Sequence, residues 1–518
     1  MPFKLTYSTM FNPPEEMHLR FEEALARVER GLGAPGPLFI NGEEAATGRS
    51  ADRFSPIDPG LLLGSWAVGG PEDVDRAMAA AKAAFPAWRR TPINERTRLL
   101  RRVAALLEER VYDLSAAMVL EVGKNRMEAL GEVAESAEFF SLYSSQFEAA
   151  QGYRLALPDD PLPDWKSHNR SVLKPHGVWA VIAPFNYPMA LAAGPAAAAL
   201  VTGNTVVLKG SSDTFWMGRL LADCLRDAGL PPGVFNYVSG SGGVAGEALI
   251  GHPDTAGVTF TGSYEVGMDI YRKLAAGPWP RPCILEMGGK NVCIVTARGD
   301  LDRAAQGIVR SAYGMGGQKC SALSRVYVEE AVAEPLLELL ASMARAIQVG
   351  DPRLRKSWLG PLIHAKAARE FEGYCRQLRE NGARILAGGE RLPLGPAYVA
   401  PTLAEAPLDH PLFKHEMFVP ILMVGRVKDL AQALREANAA KLGLTAGCYG
   451  SPEEVDRFLE EIETGTLYLN RPQGATTGAW PGYQCFAGWK GSSSTGKAIG
   501  SAYYLPQYLR EQSHTWVE

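Results

Sequence analysis

Apolar and polar positions alternate in two rhythms along this chain. In the first third, apolar residues recur every three or four positions, the spacing of one buried helix face. That spacing predicts helices over Pro14–Gly31, over Pro71–Arg90, over Asn94–Lys124 and again beyond Lys124. Leu38–Glu44 reads instead as a strand and turn, and residues 1–37 as a lead-in. Between Gly152 and Ser171 the rhythm breaks, and Pro158, Pro161 and Pro163 in a polar, acidic stretch predict a loop or excursion from the main body. From Ser171 onward, short continuous apolar runs take over. Val178–Ala183, Asn204–Gly210, Val234–Gly240 and Gly257–Gly262 are predicted strands, Thr214–Gly229 a helix, and the Ala-rich run Met189–Val201 a buried helix. Continuous apolar strands alternating with helices predict a doubly wound, parallel α/β sheet. A second alternation, from Glu286 to about Asn470, predicts a second α/β domain.

Length and charge narrow the picture. At roughly 150 residues per domain, 518 residues suggest about three domains, enough to bury a large core unaided. A net charge of −4 argues against nucleic acid as the main partner. No window offers the ~18 uncharged apolar residues of a membrane span. The first thirty residues lack a basic stretch followed by an apolar one, so no secretory signal is read and a cytoplasmic location is expected. The seven cysteines are widely spaced, with no C-x-x-C pair and no His/Cys cluster, so no metal site is expected and most should be reduced, buried thiols.

Four places carry candidate chemistry. Cys320 lies in Gly-Met-Gly-Gly-Gln-Lys-Cys-Ser-Ala, where small residues admit a substrate and Lys319 could favour the thiolate. Taken alone, an inert buried thiol is the favoured reading. Glu286, in Ile-Leu-Glu-Met-Gly-Gly-Lys-Asn, ends an apolar run at a strand-to-loop junction, where α/β sheets place function. A solvated loop glutamate is the bland alternative. Asn186, in Ala-Pro-Phe-Asn-Tyr-Pro, could donate to an oxyanion or simply stabilise its own turn. The run Gly240–Gly246 follows a strand and opens a helix, as a pyrophosphate-facing turn would, but Ala245 spoils the Gly-x-Gly-x-x-Gly pattern.

Taken in order, APFNYP, LKGSSD, TFTGS, LEMGGKN, GGQKCSA, HEMFVP and LNRPQG closely resemble the aldehyde dehydrogenase superfamily, from about Leu38 to the C-terminal end. The resemblance implies an α/β aldehyde dehydrogenase fold: a Rossmann-like cofactor domain (1–150 and 174–286), an α/β catalytic domain (287–484), and a small β oligomerisation element with the tail (151–173 and 485–518). It implies Cys320 as nucleophile, Asn186 with the Cys320 N–H as oxyanion hole, and Glu286 as the base that activates water against a thioester. It assigns cofactor contacts to Ile182, Ala183, Pro184 and Phe185, to Lys209 and Ser212, and to Gly242 and Gly246. Further contacts fall on Phe260, Thr261, Gly262 and Ser263, on Met287 and Gly288, and on Glu416 and Phe418.

Departures matter. Ser212 stands where the family usually has a glutamate that repels a 2′-phosphate, so NAD is expected with NADP tolerated. Val419 replaces a glycine, and Cys485-Phe486-Ala487-Gly488 replaces Pro-Phe-Gly-Gly. Within the superfamily the chain looks most like 1-pyrroline-5-carboxylate (L-glutamate γ-semialdehyde) dehydrogenases, through LEVGKN, AYGMGGQKCSA and TTGA. That likeness implies Gly478, Ala479 and Ser321 around a substrate carboxylate, Tyr187 and Phe486 flanking the chain, and Glu135 nearby. Trp480, Trp489 and the altered loop leave a broad aliphatic or aromatic aldehyde pocket as the alternative. A CoA-acylating enzyme lacks a residue like Glu286, and a non-catalytic scaffold usually loses the cysteine or the glutamate. Aromatics in the tail Ser501–Glu518 suggest a homo-oligomer, a dimer or a multiple of it.

Overall fold

The computed structural model describes residues 4–518. Two seven-stranded sheets form its two halves. In the first, five parallel strands run in the order Cys283–Glu286, Thr255–Thr261, Val178–Ile182, Thr205–Lys209 and Phe235–Tyr237, and the antiparallel strands Leu38–Ile40 and Glu43–Ala45 extend one edge. In the second, six parallel strands are ordered Thr402–Glu405, Ile421–Val427, Leu323–Glu329, Asn291–Val295, Thr445–Tyr449 and Thr466–Leu469, with antiparallel Arg384–Ala387 outside.

Strand side chains alternate faces, so each sheet feeds two cores. Val206 and Leu208 join one cluster while Val207 joins that on the opposite face. Val292 and Ile294 likewise part from Cys293 and Val295. Both faces are covered by helices, as continuous apolar strands require. Among the described residues, no helix is long and apolar enough to cross a membrane.

Two predicted elements differ in detail. The helix expected over Asn94–Lys124 is two, Ile93–Glu109 and Val111–Val122, parted at Arg110. The stretch expected to be a loop, 152–171, instead holds the strand Arg154–Leu157 and the start of Ser167–Pro175. The latter pairs antiparallel with the C-terminal strand Leu509–Val517, residue by residue from Leu509↔Pro175 to Val517↔Ser167. Pro158, Pro161 and Pro163 occupy the connection between the first two strands, where no ladder bond is lost.

The sequence Val122-Gly-Lys-Asn-Arg126 is a helix stop and restart. Gly123 adopts φ 81°, the left-handed C-cap that glycine takes most cheaply. Asn125 then caps Arg126–Ala149, its Oδ1 accepting from the N–H groups of Met127 and Glu128. Lys124 is left between the two, facing inward and fully buried.

Candidate active site

The loop that carries Cys320 is shaped by glycine. After the helix Leu301–Tyr313 the chain turns through Met315, Gly316 and Gly317 at φ 52°, 65° and 69°. A Cβ on Gly317 would fall 2.5 Å from the Val419 carbonyl, so the small residues before Cys320 serve backbone geometry as well as access. Asn291 fixes the far side. Its Nδ2 donates to the carbonyls of Cys320 (2.7 Å) and Ala322 (2.8 Å), and its Oδ1 accepts from Thr445 N–H. The Gly288–Gly289 pair is pinched between two partners. A Cβ at Gly288 would meet the Glu416 carboxylate at 1.9 Å, and one at Gly289 would meet the Cys320 carbonyl at 2.4 Å.

Electrostatics correct one expectation. Lys319 does not favour a Cys320 thiolate, because its ammonium is paired with buried Glu128 at 2.6 Å. Burial, with Glu286 and Glu416 adding to it, pushes the Cys320 thiol up to about 12. Glu286 ends its strand beside the main chain of Ser493, and burial raises its carboxyl to about 8. Glu416 is raised to about 7 by burial, against the Gly289 N–H that donates to it at 2.8 Å. Carboxyls whose protons come off near neutrality are suited to proton transfer.

Two cavities meet at Cys320. The larger is a cleft of about 960 Å³ between the two sheets. Ile182, Ala183, Pro184, Phe185 and Asn186 line it from the end of a parallel strand, with Lys209 and Ser212 beyond the next. Gly242 and Gly246 line it at a helical turn, and Phe260, Thr261, Gly262 and Ser263 where Thr255–Thr261 ends. Gly288, Glu416 and Phe418 complete it. These are the carboxyl ends of parallel strands, where open sheets hold ligands. Met287 alone of the expected residues is not on the wall. Its side chain packs into the core beneath Gly267, where a Cβ would lie 2.5 Å from its sulfur. The helix Ala365–Glu380 supplies a wall the sequence did not signal, through Lys366, Glu370 and Tyr374.

The cleft fits a dinucleotide on its own terms. Lys209 is buried, its carbon stem under Gly246, with the neighbouring Gly210 carbonyl (2.8 Å) as its hydrogen-bond partner. Burial lowers its ammonium to about 8, an environment that invites further acceptors such as ribose hydroxyls. Gly242 and Gly243 face open space. Val419, which replaces a glycine, disturbs little, because the left-handed residue is Phe418 (φ 57°) and the valine side chain enters the core. Phe418 meets Phe185 edge-on at 5.9 Å.

The smaller pocket, about 80 Å³, opens on the other side of Cys320. Glu135, Tyr187, Ser321, Gly478, Ala479 and Phe486, the expected substrate residues, all line it. Gly478 has φ 109°, and Arg471 lies where its Cβ would be, which explains a glycine there. Trp480 and Trp489 are absent from this wall. Arg310, Gln473 and Thr477 line it, as do Tyr7, Met10 and Phe11 of the supposed lead-in. Gln473 and Thr477 fall within LNRPQG and TTGA without being singled out there, and no local motif marked Arg310, Tyr7, Met10 or Phe11. Cys320 is the one residue that borders both cavities among those described.

The chain is similar to known proteins over nearly its whole length. A family model described as the aldehyde dehydrogenase family matches residues 43–514. The chain is 36% identical over 491 residues to a 1-pyrroline-5-carboxylate dehydrogenase of a Geobacillus species, covering 94% of each chain. It is 36% identical over 494 residues to 1-pyrroline-5-carboxylate dehydrogenase 1 of Halalkalibacterium halodurans, covering 93% of each. Among solved structures, 1-pyrroline-5-carboxylate dehydrogenase from Thermus with bound NAD superposes with a TM-score of 0.93 at 35% identity, over 100% of this chain and 99% of that one.

Proposed function

The chain belongs to the aldehyde dehydrogenase family, and from that premise we propose that it oxidises L-glutamate γ-semialdehyde to glutamate with NAD, tolerating NADP. The observation that carries this reading is Cys320 standing alone between a dinucleotide-sized cleft and a narrow, mostly apolar pocket that includes the polar groups of Ser321, Glu135 and Arg310. A nucleophile there can bond to the aldehyde carbon on one side while facing a hydride acceptor on the other. The relatives named for this substrate support it.

Lys209, Ser212 and Glu416 would hold the ribose hydroxyls of the cofactor, and Gly242 and Gly246 would admit its phosphates closely. When bound, NAD supplies the acceptor for the aldehyde hydride. The rest falls to side chains. Cys320 Sγ bonds to the carbonyl carbon as the thiol proton leaves, with Glu286 as the nearby buried base whose charge is felt at the sulfur. The Asn186 amide, free of protein partners among the described residues, and the Cys320 N–H stabilise the oxyanion. Loss of hydride leaves a thioester on Cys320. Glu286, returned to its carboxylate form once the thiol proton has passed to solvent, then takes a proton from water as the water attacks, and the acid departs as the C–S bond breaks and frees Cys320 Sγ. Glu286 is what a CoA-dependent route would not need.

Ser321 Oγ and the N–H groups of Gly478 and Ala479 would take the substrate carboxylate, with Tyr187 and Phe486 along its short chain. The rival reading, a broad aromatic or aliphatic pocket, rested on Trp480, Trp489 and the altered loop Trp480–Cys485, and neither tryptophan lines the pocket. We further infer a cytoplasmic homo-oligomer built through the sheet that carries the C-terminal strand.

NAD(P)H formation across an aldehyde panel tests the reading. The kcat/KM for L-glutamate γ-semialdehyde should exceed that for hexanal by about tenfold or more, on the order of 1.4 kcal/mol. Cys320→Ala should abolish turnover and leave NAD binding. Hexanal or benzaldehyde as the better substrate would remove the glutamate-semialdehyde assignment and leave a general aldehyde dehydrogenase.

A further inference from the structure

The region matched by the family model begins at residue 43, yet residues 4–12 reach the substrate pocket. They are tied down at several points. A tight turn, Thr9 and Met10 N–H to the Thr6 carbonyl at 3.1 Å each, folds the segment back on itself. Tyr7 OH donates to Glu135 at 2.6 Å, and its ring stands edge-on to Tyr187 (6.2 Å) and Trp480 (5.4 Å). The Arg310 guanidinium lies 3.9 Å over the Phe11 ring. Arg471 donates at once to Ser8 Oγ, to the Thr477 carbonyl (3.2 Å) and to the Gly478 carbonyl (3.3 Å). The same guanidinium therefore binds the segment to the loop expected to hold the substrate carboxylate.

The rest of the chain is built to receive it. Gly131 lies inside the helix Arg126–Ala149, where glycine costs about 1 kcal/mol relative to alanine. A Cβ there would meet the Tyr7 ring at 2.9 Å, so the glycine makes room for this contact. A segment that merely packed on the surface would not need a helix-weakening residue beneath it.

We propose that Tyr7, Met10 and Phe11 are specificity-determining residues: an N-terminal strap that closes the distal wall of the aldehyde pocket and limits the length of the substrate chain. The proposal rests on the aldehyde dehydrogenase reading above. Tyr7 acts through Glu135 and Tyr187, and Phe11 through Arg310, so the strap sets both the depth of the pocket and the placement of its polar groups. None of Tyr7, Met10 and Phe11 lines the cofactor cleft.

The test is the chain-length profile, kcat/KM for linear aldehydes from propanal to octanal together with L-glutamate γ-semialdehyde. Wild type is compared with Phe11→Ala, Met10→Ala and the conservative Tyr7→Phe. Phe11→Ala and Met10→Ala should move the optimum toward longer aldehydes, changing the octanal-to-propanal ratio by about tenfold, as pocket methylenes do. Tyr7→Phe should lower the rate for the semialdehyde relative to hexanal. NAD affinity, measured by fluorescence titration, should stay within twofold. An unchanged profile, or a parallel loss on every aldehyde, overturns the proposal. If an alanine variant fails to fold, Phe11→Leu reads the same ratio. A wild-type preference for hexanal would overturn the substrate reading while leaving this test intact, because the shift is measured against the wild-type profile whichever aldehyde heads it.

Discussion

The ammonium of Lys124 donates to the main-chain carbonyl of Asn186 at 2.8 Å. It also lies 4.1 Å from the centre of the Tyr187 ring and pairs with Glu132. Glu132 in turn accepts from the N–H groups of Met189 (2.8 Å) and Ala190 (3.2 Å), where the helix Ala190–Val201 begins. One buried ion pair therefore fixes the middle and the C-terminal end of the loop that presents the Asn186 amide.

Lys124→Met should leave Glu132 buried without its cation and destabilise the protein by about 3–5 kcal/mol. The paired variant Lys124→Met/Glu132→Gln keeps an acceptor for Met189 and Ala190 and should recover much of that loss. Its kcat should stay at least about tenfold low, less than the ~10²–10³ for deleting an oxyanion donor outright. Thermal melts and steady-state rates check both. A wild-type kcat in the paired variant would exclude a positioning role for Lys124.

The pH dependence follows from Glu286, whose carboxyl is raised to about 8 by burial. A general base must be ionised, so the active fraction grows as pH rises through about 8. Steady-state turnover should climb from pH 6.5 to 9, and a flat wild-type profile over that range would count against the role. Glu286→Gln should lose this limb. It should retain a burst of about one NADH per site, followed by turnover ~10²–10⁴-fold slower.

The same shift bears on stability. A carboxyl whose folded value lies above its unfolded one binds a proton in the native state that the unfolded chain has released. Its contribution is present at low pH and is lost as pH rises from the ordinary carboxyl range through about 8. Glu286→Gln carries no such slope. Its melting temperature relative to wild type should be higher at pH 9 than at pH 6, and a constant difference would contradict the assignment.

Ser212 lines the cofactor cleft beyond Lys209 and brings no negative charge. Ser212→Glu should weaken NADP at least about tenfold and NAD little, since only NADP brings a 2′-phosphate against the new carboxylate. Equal effects on both dinucleotides, measured as Kd, would show that residue 212 does not face the ribose.

Removing Arg510–Glu518 deletes nearly all of the strand that pairs with Ser167–Pro175. It spares Tyr504 and Tyr508, which are core residues of this protomer rather than exposed tail aromatics; Tyr503 and Trp516 are the exposed ones. The truncated protein should have a smaller mass by light scattering while keeping its near-ultraviolet signature. An unchanged mass would place the contact between copies elsewhere.

What the sequence by itself determined was local. Strands such as Val178–Ile182 and Thr205–Lys209 are written in continuous apolar runs, and the residues at their ends are written in motifs. Glycines that the backbone requires, at 288, 289 and 317, sit within a few residues of the chemistry they serve. Tertiary structure decided what depends on distant partners. Lys319 is neighbour to Cys320 in the chain, but Glu128, 191 positions away, neutralises it. Tyr7 reaches Glu135 across 128 positions and Ser8 reaches Arg471 across 463, so a lead-in without any motif becomes a pocket wall. Of the tail aromatics read as interface, Tyr504 and Tyr508 are core, whereas Tyr503 and Trp516 are exposed. Periodicity and motifs report the conformation of neighbouring residues, whereas charge compensation and pocket shape arise only when remote segments close on one another, and no local pattern encodes that closure.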